Sequence, residues 1–141
     1  MDKCESKYSG CLYYSTNALG RIMTKIADEE FSKVGLTSSY ALILMSIIEK
    51  PGIQPKEISQ QMQLSPSTVS RLIEKLEYRR LLERKQNGRS IEIYPTNESK
   101  ALYEKINDCQ KSLYKRYTDI LGIQNAKELT ANIYEAVQKL N

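Results

Sequence analysis

A mainly α fold with one small β-hairpin is what the sequence predicts, and three observations carry it. Val69, Leu72, Ile73 and Leu76 recur at helical spacing behind a Ser65-Pro66 start. A shorter helical stretch, Ile53 to Met62, precedes them across a tight Gln63-Leu64 link. An Asn87-Gly88 pair then divides two strand-like runs, Glu83–Gln86 and Arg89–Tyr94. Two helices joined by so short a turn form a helix-turn-helix, and a hairpin directly after the second helix is a wing. The fold class is therefore a winged helix-turn-helix, with further helices at both ends of the chain.

Each element has a local cause. Residues Met1 to Gly10 read as a lead-in. From about Cys11 to Lys33, Leu12, Leu19, Ile22, Met23 and Ile26 make an apolar stripe on a long helix. Gly20 would mark close packing on another helix, and Gly35 would end the element as a left-handed cap. Thr37 would cap the next helix, to about Glu49. That helix has almost no polar face and should be buried all round, at the centre of the domain. Pro51-Gly52 terminates it. In the Ile53–Met62 helix, Ile58 and Met62 are the inward pair.

Ser65 is a good N-cap, because its hydroxyl can accept from an orphan backbone N–H. Pro66 then falls where its missing N–H is not needed. A two-residue Asn87-Gly88 turn would pair Gln86 with Arg89, Arg84 with Ile91 and Leu82 with Ile93. It would set Glu83 opposite Glu92. Pro95-Thr96 would start one long helix over about Asn97–Leu121, with a seam of Leu102, Ile106, Cys109, Leu113, Arg116 or Tyr117, and Ile120. A last helix, about Asn125–Leu140, would carry Leu129, Ile133, Ala136, Val137 and Leu140 on one side. Stripes at both ends have little left to cover inside a chain of 141 residues, so a partner subunit is their expected home. Residues 1–35 and 97–141 are then dimerisation helices, and residues 36–96 form a winged helix-turn-helix lobe expected to bind DNA.

Composition narrows the function. Apolar residues are 40% and charged residues 27%, as in a helical domain with a core. From Arg71 to Arg89 there are seven basic and three acidic residues, a surplus of four that equals the whole chain's net charge of +4. The positive charge is concentrated where a phosphate backbone would lie. The absence of histidine removes the commonest metal ligand and acid–base group, and no Gly-rich phosphate loop is present. An enzyme is not expected, nor is a metal or cofactor. No run is long enough to span a membrane, and no secretory signal pattern is visible, so a cytoplasmic location is the default. Cys4, Cys11 and Cys109 form neither a disulfide framework nor a metal-ligand spacing.

The candidate interface is the polar face of the Ser65–Leu82 stretch together with the wing. Ser65, Ser67, Thr68, Ser70 and Arg71 combine short hydroxyls, which allow close approach, with a guanidinium that can reach phosphate or guanine. Lys75 and Arg79 suit phosphates, and Arg84, Lys85 and Arg89 add cations on the wing. A winged-helix module that binds only protein would lack such a basic reading face.

The runs Ser65–Glu77, Leu81-Leu82-Glu83-Arg84, Asn87-Gly88-Arg89 and Pro95-Thr96 resemble the MarR family of transcription regulators. The resemblance covers nearly the whole chain and is strongest from Leu36 to Thr96. It implies a homodimer on a pseudo-palindromic operator of double-stranded DNA, with half-sites about one helical turn, ~10 bp, apart. It also implies that Arg89 enters the minor groove. Two departures bear on that: Asn87 stands where the family usually has aspartate, and the turn is shorter. The resemblance further implies release by a small aromatic or phenolic effector, for which Tyr13, Tyr14, Met23, Tyr40 and Met45 are candidate lining residues. Some relatives instead sense oxidants through a cysteine near the start of the first helix. Cys11 is the redox candidate here, although alignment on Arg21-Ile22-Met23-Thr24 puts Tyr13 at that position.

Overall fold

The computed structural model describes residues 5–141. Its elements run α1 (Leu12–Phe31), a 3-10 turn (Ser32–Val34), α2 (Ser38–Glu49), α3 (Pro55–Met62), α4 (Pro66–Tyr78), β1 (Leu82–Asn87), β2 (Ser90–Pro95), α5 (Asn97–Lys100), α6 (Tyr103–Leu121) and α7 (Ile123–Leu140). This is the predicted winged helix-turn-helix between terminal helices. The four residues Met1–Cys4 of the expected lead-in lie outside the described residues.

α2 is the centre. Ala41, Ile43, Leu44 and Ile47 are fully buried, and the core around them takes Phe31 from α1, Ile58 from α3, Val69, Ile73 and Leu76 from α4, and Ile106 from α6. The expectation that α2 is buried all round fails at Ser39, Leu42 and Glu49, which are exposed, and Leu42 is the one large apolar residue among them. Its start also differs from the expected cap. Thr37 holds the N-cap position, but its side chain makes no capping bond. Asp28 of α1 accepts from the Ser38 N–H instead, at 2.8 Å. A carboxylate is the better partner for the positive end of a helix. The same bond ties α1 to the winged helix-turn-helix lobe.

α1 itself ends at Phe31, and the 3-10 turn that follows it closes at Gly35, φ +73°, the expected left-handed cap. Gly20 does not pack as expected: no atom lies within 4 Å of the position its Cβ would take. Its close-packing role finds no support within this chain.

The helix-turn-helix linker has a geometric basis. Gln63 adopts φ +55°. The Leu64 N–H reaches back to the Ser59 carbonyl at 3.2 Å, and the Ser59 hydroxyl donates to the Leu64 carbonyl at 2.6 Å. α3 begins at Pro55, two residues later than the start of the predicted stretch. Ile53 lies outside it and pairs with Ile93 in an isolated antiparallel bridge beside the two-stranded hairpin.

α4 ends in the same way, with Arg80 as the left-handed residue at φ +61°. Arg80 N–H bonds the Glu77 carbonyl at 2.9 Å and Leu81 N–H bonds the Leu76 carbonyl at 2.9 Å. That double closure is a Schellman motif, which usually carries glycine at this position. An arginine there bears a steric cost, so Arg80→Gly should raise stability by about 1 kcal/mol, the scale of a left-handed penalty partly offset by unfolded-chain entropy. Thermal melting without DNA, at matched protein concentration, checks it. A lower melting temperature would contradict the left-handed assignment.

The predicted helix over 97–121 is two helices. Thr96 caps α5 in a capping box with Ser99, as the Thr96 reading anticipated. The ladder then shortens: Leu102 N–H bonds the Ser99 carbonyl, three residues back, at 3.0 Å. The adjacent Leu102 and Tyr103 both pack on the core, which the uninterrupted helical stripe did not provide for. In α6 the expected seam holds through Ile106, Cys109 and Leu113, whereas Ile120 is exposed. Arg116 leaves the apolar role. It bonds Glu29 at 2.9 Å and the buried Glu30 at 3.2 Å, clamping α6 to α1. Lys33 and Arg116 hold the Glu30 carboxyl below its usual range, against the opposing effect of burial. α7 extends along α6 with only Ala126 buried.

Candidate nucleic-acid interface

α4 is fixed from behind and open in front. Val69, Ile73 and Leu76 are buried, so the opposite surface is set by helical geometry. Ser67, Ser70, Arg71, Glu74, Lys75 and Tyr78 are exposed on it, and Thr68 is half-buried. Ser65 is committed to the cap. Its hydroxyl oxygen accepts from the Thr68 N–H at 3.2 Å and lies 2.9 Å from the Thr68 hydroxyl. Ser67 lies 3.2 Å from the same oxygen, so these three hydroxyls form one connected group at the head of the helix.

The basic residues separate into two sets. Among the described residues, no ion pair is made by Arg71, Lys75 or Arg89, and all three are exposed. Arg84 is different. Its guanidinium grips Glu77 of α4 with two bonds, 3.1 and 2.7 Å. The pairing lowers the Glu77 carboxyl and raises the Arg84 guanidinium from their ordinary values. Arg84 thereby joins the wing to the back of the helix. The Lys85 ammonium stands 4.7 Å over the Tyr94 ring. Arg79, at the C-cap of α4, has a guanidinium nitrogen 3.8 Å from the position a Gly35 Cβ would take, so it folds toward that loop.

The wing register corrects the sequence reading. Asn87 pairs with Ser90, Gln86 with Ile91, Lys85 with Glu92, Arg84 with Ile93, Glu83 with Tyr94 and Leu82 with Pro95. The turn is Gly88-Arg89, one residue later than expected. Gly88 alone in this turn has a positive φ, +64°. A glycine-first turn needs that at one position only, so Asn87 remains in the strand. The shift removes the like-charge Glu83–Glu92 pairing and sets Lys85 against Glu92. It also puts Arg89 at the apex.

Tyr78 was missed by the sequence reading. It is 90% exposed and lies on the same face as Arg71, seven residues on. That spacing is the available signal, but an expectation built on the hydroxyls and cations of this face passes over an aromatic side chain.

The effector candidates are dispersed. Met45 is in the core, and Tyr40 is half-buried against it. Tyr13 and Tyr14 are exposed at the start of α1, with Tyr14 5.6 Å from the Tyr8 ring. Met23 alone of the five lines an apolar cleft of about 290 Å³, with Leu19, Tyr117, Leu129 and Ile133. Cys11 is exposed at the N-cap of α1, and Cys109 is buried, which pushes its thiol up. Cys4 lies outside the described residues.

A helix-turn-helix backed by a hairpin with a cationic apex defines a winged helix-turn-helix protein. Residues 34–90 match the family model described as the MarR family. The winged helix-turn-helix lobe is therefore similar to that of the MarR family of transcriptional regulators. Two Bacillus subtilis (strain 168) proteins are similar. The HTH-type transcriptional repressor MdtR is 26% identical over 116 residues, 78% of this chain and 75% of MdtR. The uncharacterized HTH-type transcriptional regulator YybA is 28% identical over 88 residues, 60% of this chain and 59% of YybA. Among solved structures, the transcriptional repressor CouR bound to a 23-mer DNA duplex superposes with a TM-score of 0.85 at 18% identity, covering 96% of this chain and 99% of CouR.

Proposed function

We propose that the chain is a cytoplasmic, homodimeric repressor that reads a pseudo-palindromic operator with α4 and the wing and is released by a small aromatic or phenolic ligand. The observation that carries this reading is the set of exposed cations outside ion pairs, Arg71, Lys75 and Arg89, beside the hydroxyls of Ser67, Thr68 and Ser70. These side chains pair with no charge among the described residues, and the buried face of α4 behind Arg71 and Lys75 holds their spacing. MdtR's name supports repression, and CouR's complexes with DNA and with p-coumaroyl-CoA support both ligand classes. The ligand would act through unequal affinity for two spacings of the reading heads. Met23 is the candidate best placed to meet it.

Titrating the duplex upstream of the chain's own gene at several salt concentrations tests the DNA reading. If three cations from each of two protomers reach phosphates, log K should fall against log salt with a slope of about −5. A scrambled duplex should bind far more weakly. Salt-independent binding, or equal affinity for both duplexes, would defeat the reading.

A further inference from the structure

The hairpin has two differently built faces. One carries Leu82, Arg84, Ile93 and Pro95, and is fixed by the core and by Glu77. The other carries Lys85 and Asn87 on β1 with Glu92 and Tyr94 on β2. Glu92 is central to this second face. Its Oε1 accepts from Asn87 Nδ2 at 2.6 Å, and its Oε2 accepts from the Tyr94 hydroxyl at 2.5 Å. Asn87 abuts the turn that presents Arg89, whereas Tyr94 sits at the base of the wing. There Tyr94 lies against the loop after α2: a Cβ on Gly52 would stand 3.3 Å from its hydroxyl and 3.6 Å from Glu92 Oε2. Gly52, at φ +90°, also donates its N–H to the Ile93 carbonyl at 2.8 Å.

One carboxylate therefore connects the tip of the hairpin to its anchored base. A two-stranded ribbon is marginally stable by itself, so its tip depends on such cross-strand contacts. We infer that Glu92 is a positioning residue for DNA binding, holding Asn87 and so the Gly88-Arg89 apex in the attitude that delivers the Arg89 cation. The inference rests on the DNA reading above. Its sign is unusual. A carboxylate near phosphates repels them, so charge alone makes any neutral replacement of Glu92 bind DNA more tightly. Positioning reverses that for a replacement that cannot bond Asn87.

The test uses full-length protein and a duplex enriched by the unmodified protein from a randomised pool, at one fixed salt concentration. Glu92→Ala should bind about five- to tenfold more weakly, the size of a lost charged contact. Glu92→Gln should bind as tightly as the unmodified protein or more so, because its amide oxygen can accept from Asn87 while its NH2 donates to Tyr94. With Arg89→Ala already present, adding Glu92→Ala should have no further effect. The inference is overturned by Glu92→Ala binding at least as tightly as the unmodified protein, by Glu92→Gln weakening to the same degree, or by a Glu92→Ala loss that persists without Arg89. Failure of the DNA reading looks different, since then neither Arg71→Ala nor Arg89→Ala changes binding.

Discussion

Arg71→Ala lowers operator affinity by about 1–3 kcal/mol for each protomer engaged, roughly five- to 150-fold, as expected for an arginine that contacts a base edge or phosphate. The expectation follows from what Arg71 lacks. It makes no ion pair among the described residues, and it stands one turn into α4 beside Ser67 and Ser70. Its removal breaks no side-chain hydrogen bond or ion pair among the described residues, so thermal melting should be unchanged while binding falls. Arg84 is the informative contrast. Its removal strands Glu77 and frees the wing from the helix, so that loss would mix stability with affinity. Fluorescence anisotropy on the upstream duplex at fixed salt measures the Arg71 effect. Unchanged affinity would show that this face of α4 does not read DNA.

The sequence made the lobe legible because its signals are local. Ser65, Pro66 and the Val69–Leu76 stripe determine where α4 begins and which side it buries, and the structure follows them. The departures arise where a distant group decides. Asp28 displaced Thr37 as the cap of α2, a contact across ten residues that no local pattern shows. Asn87-Gly88 signals a hairpin, but it is compatible with a turn at either of two positions. Burial of Leu82, Ile93 and Pro95 on one face, with Lys85 against Glu92 on the other, goes with the later turn. The site was legible to the same limit. Residue type put Arg84 and Lys85 among the outward cations, but Glu77 and Tyr94 hold them within the wing. The five effector candidates were chosen as aromatics and methionines near the helices, and residue type cannot say which side of a helix they take.

Ile133→Glu is expected to leave the lobe folded and separate the proposed dimer. Leu129, Ile133 and Val137 follow one another at four-residue spacing on α7, and each remains more than a third exposed. Leu12, Ile22, Ile120 and Ile123 are also exposed, on α1, α6 and the start of α7. So much apolar side chain on terminal helices fits a surface that a second copy covers. A carboxylate at the centre of that surface would be buried without a partner in the dimer but remains hydrated in the monomer, so association bears the whole cost. The core around α2 receives only Ala27, Phe31, Ile106 and Cys109 as buried residues from the helices outside the lobe, and none from α7, so its melting should persist. Operator affinity should fall about a hundredfold or more, because two linked half-site contacts become independent ones. Sedimentation velocity gives the mass, and circular dichroism follows the lobe. A substituted protein that stays dimeric and binds as before would remove α7 from the interface and leave its apolar stripe to another partner.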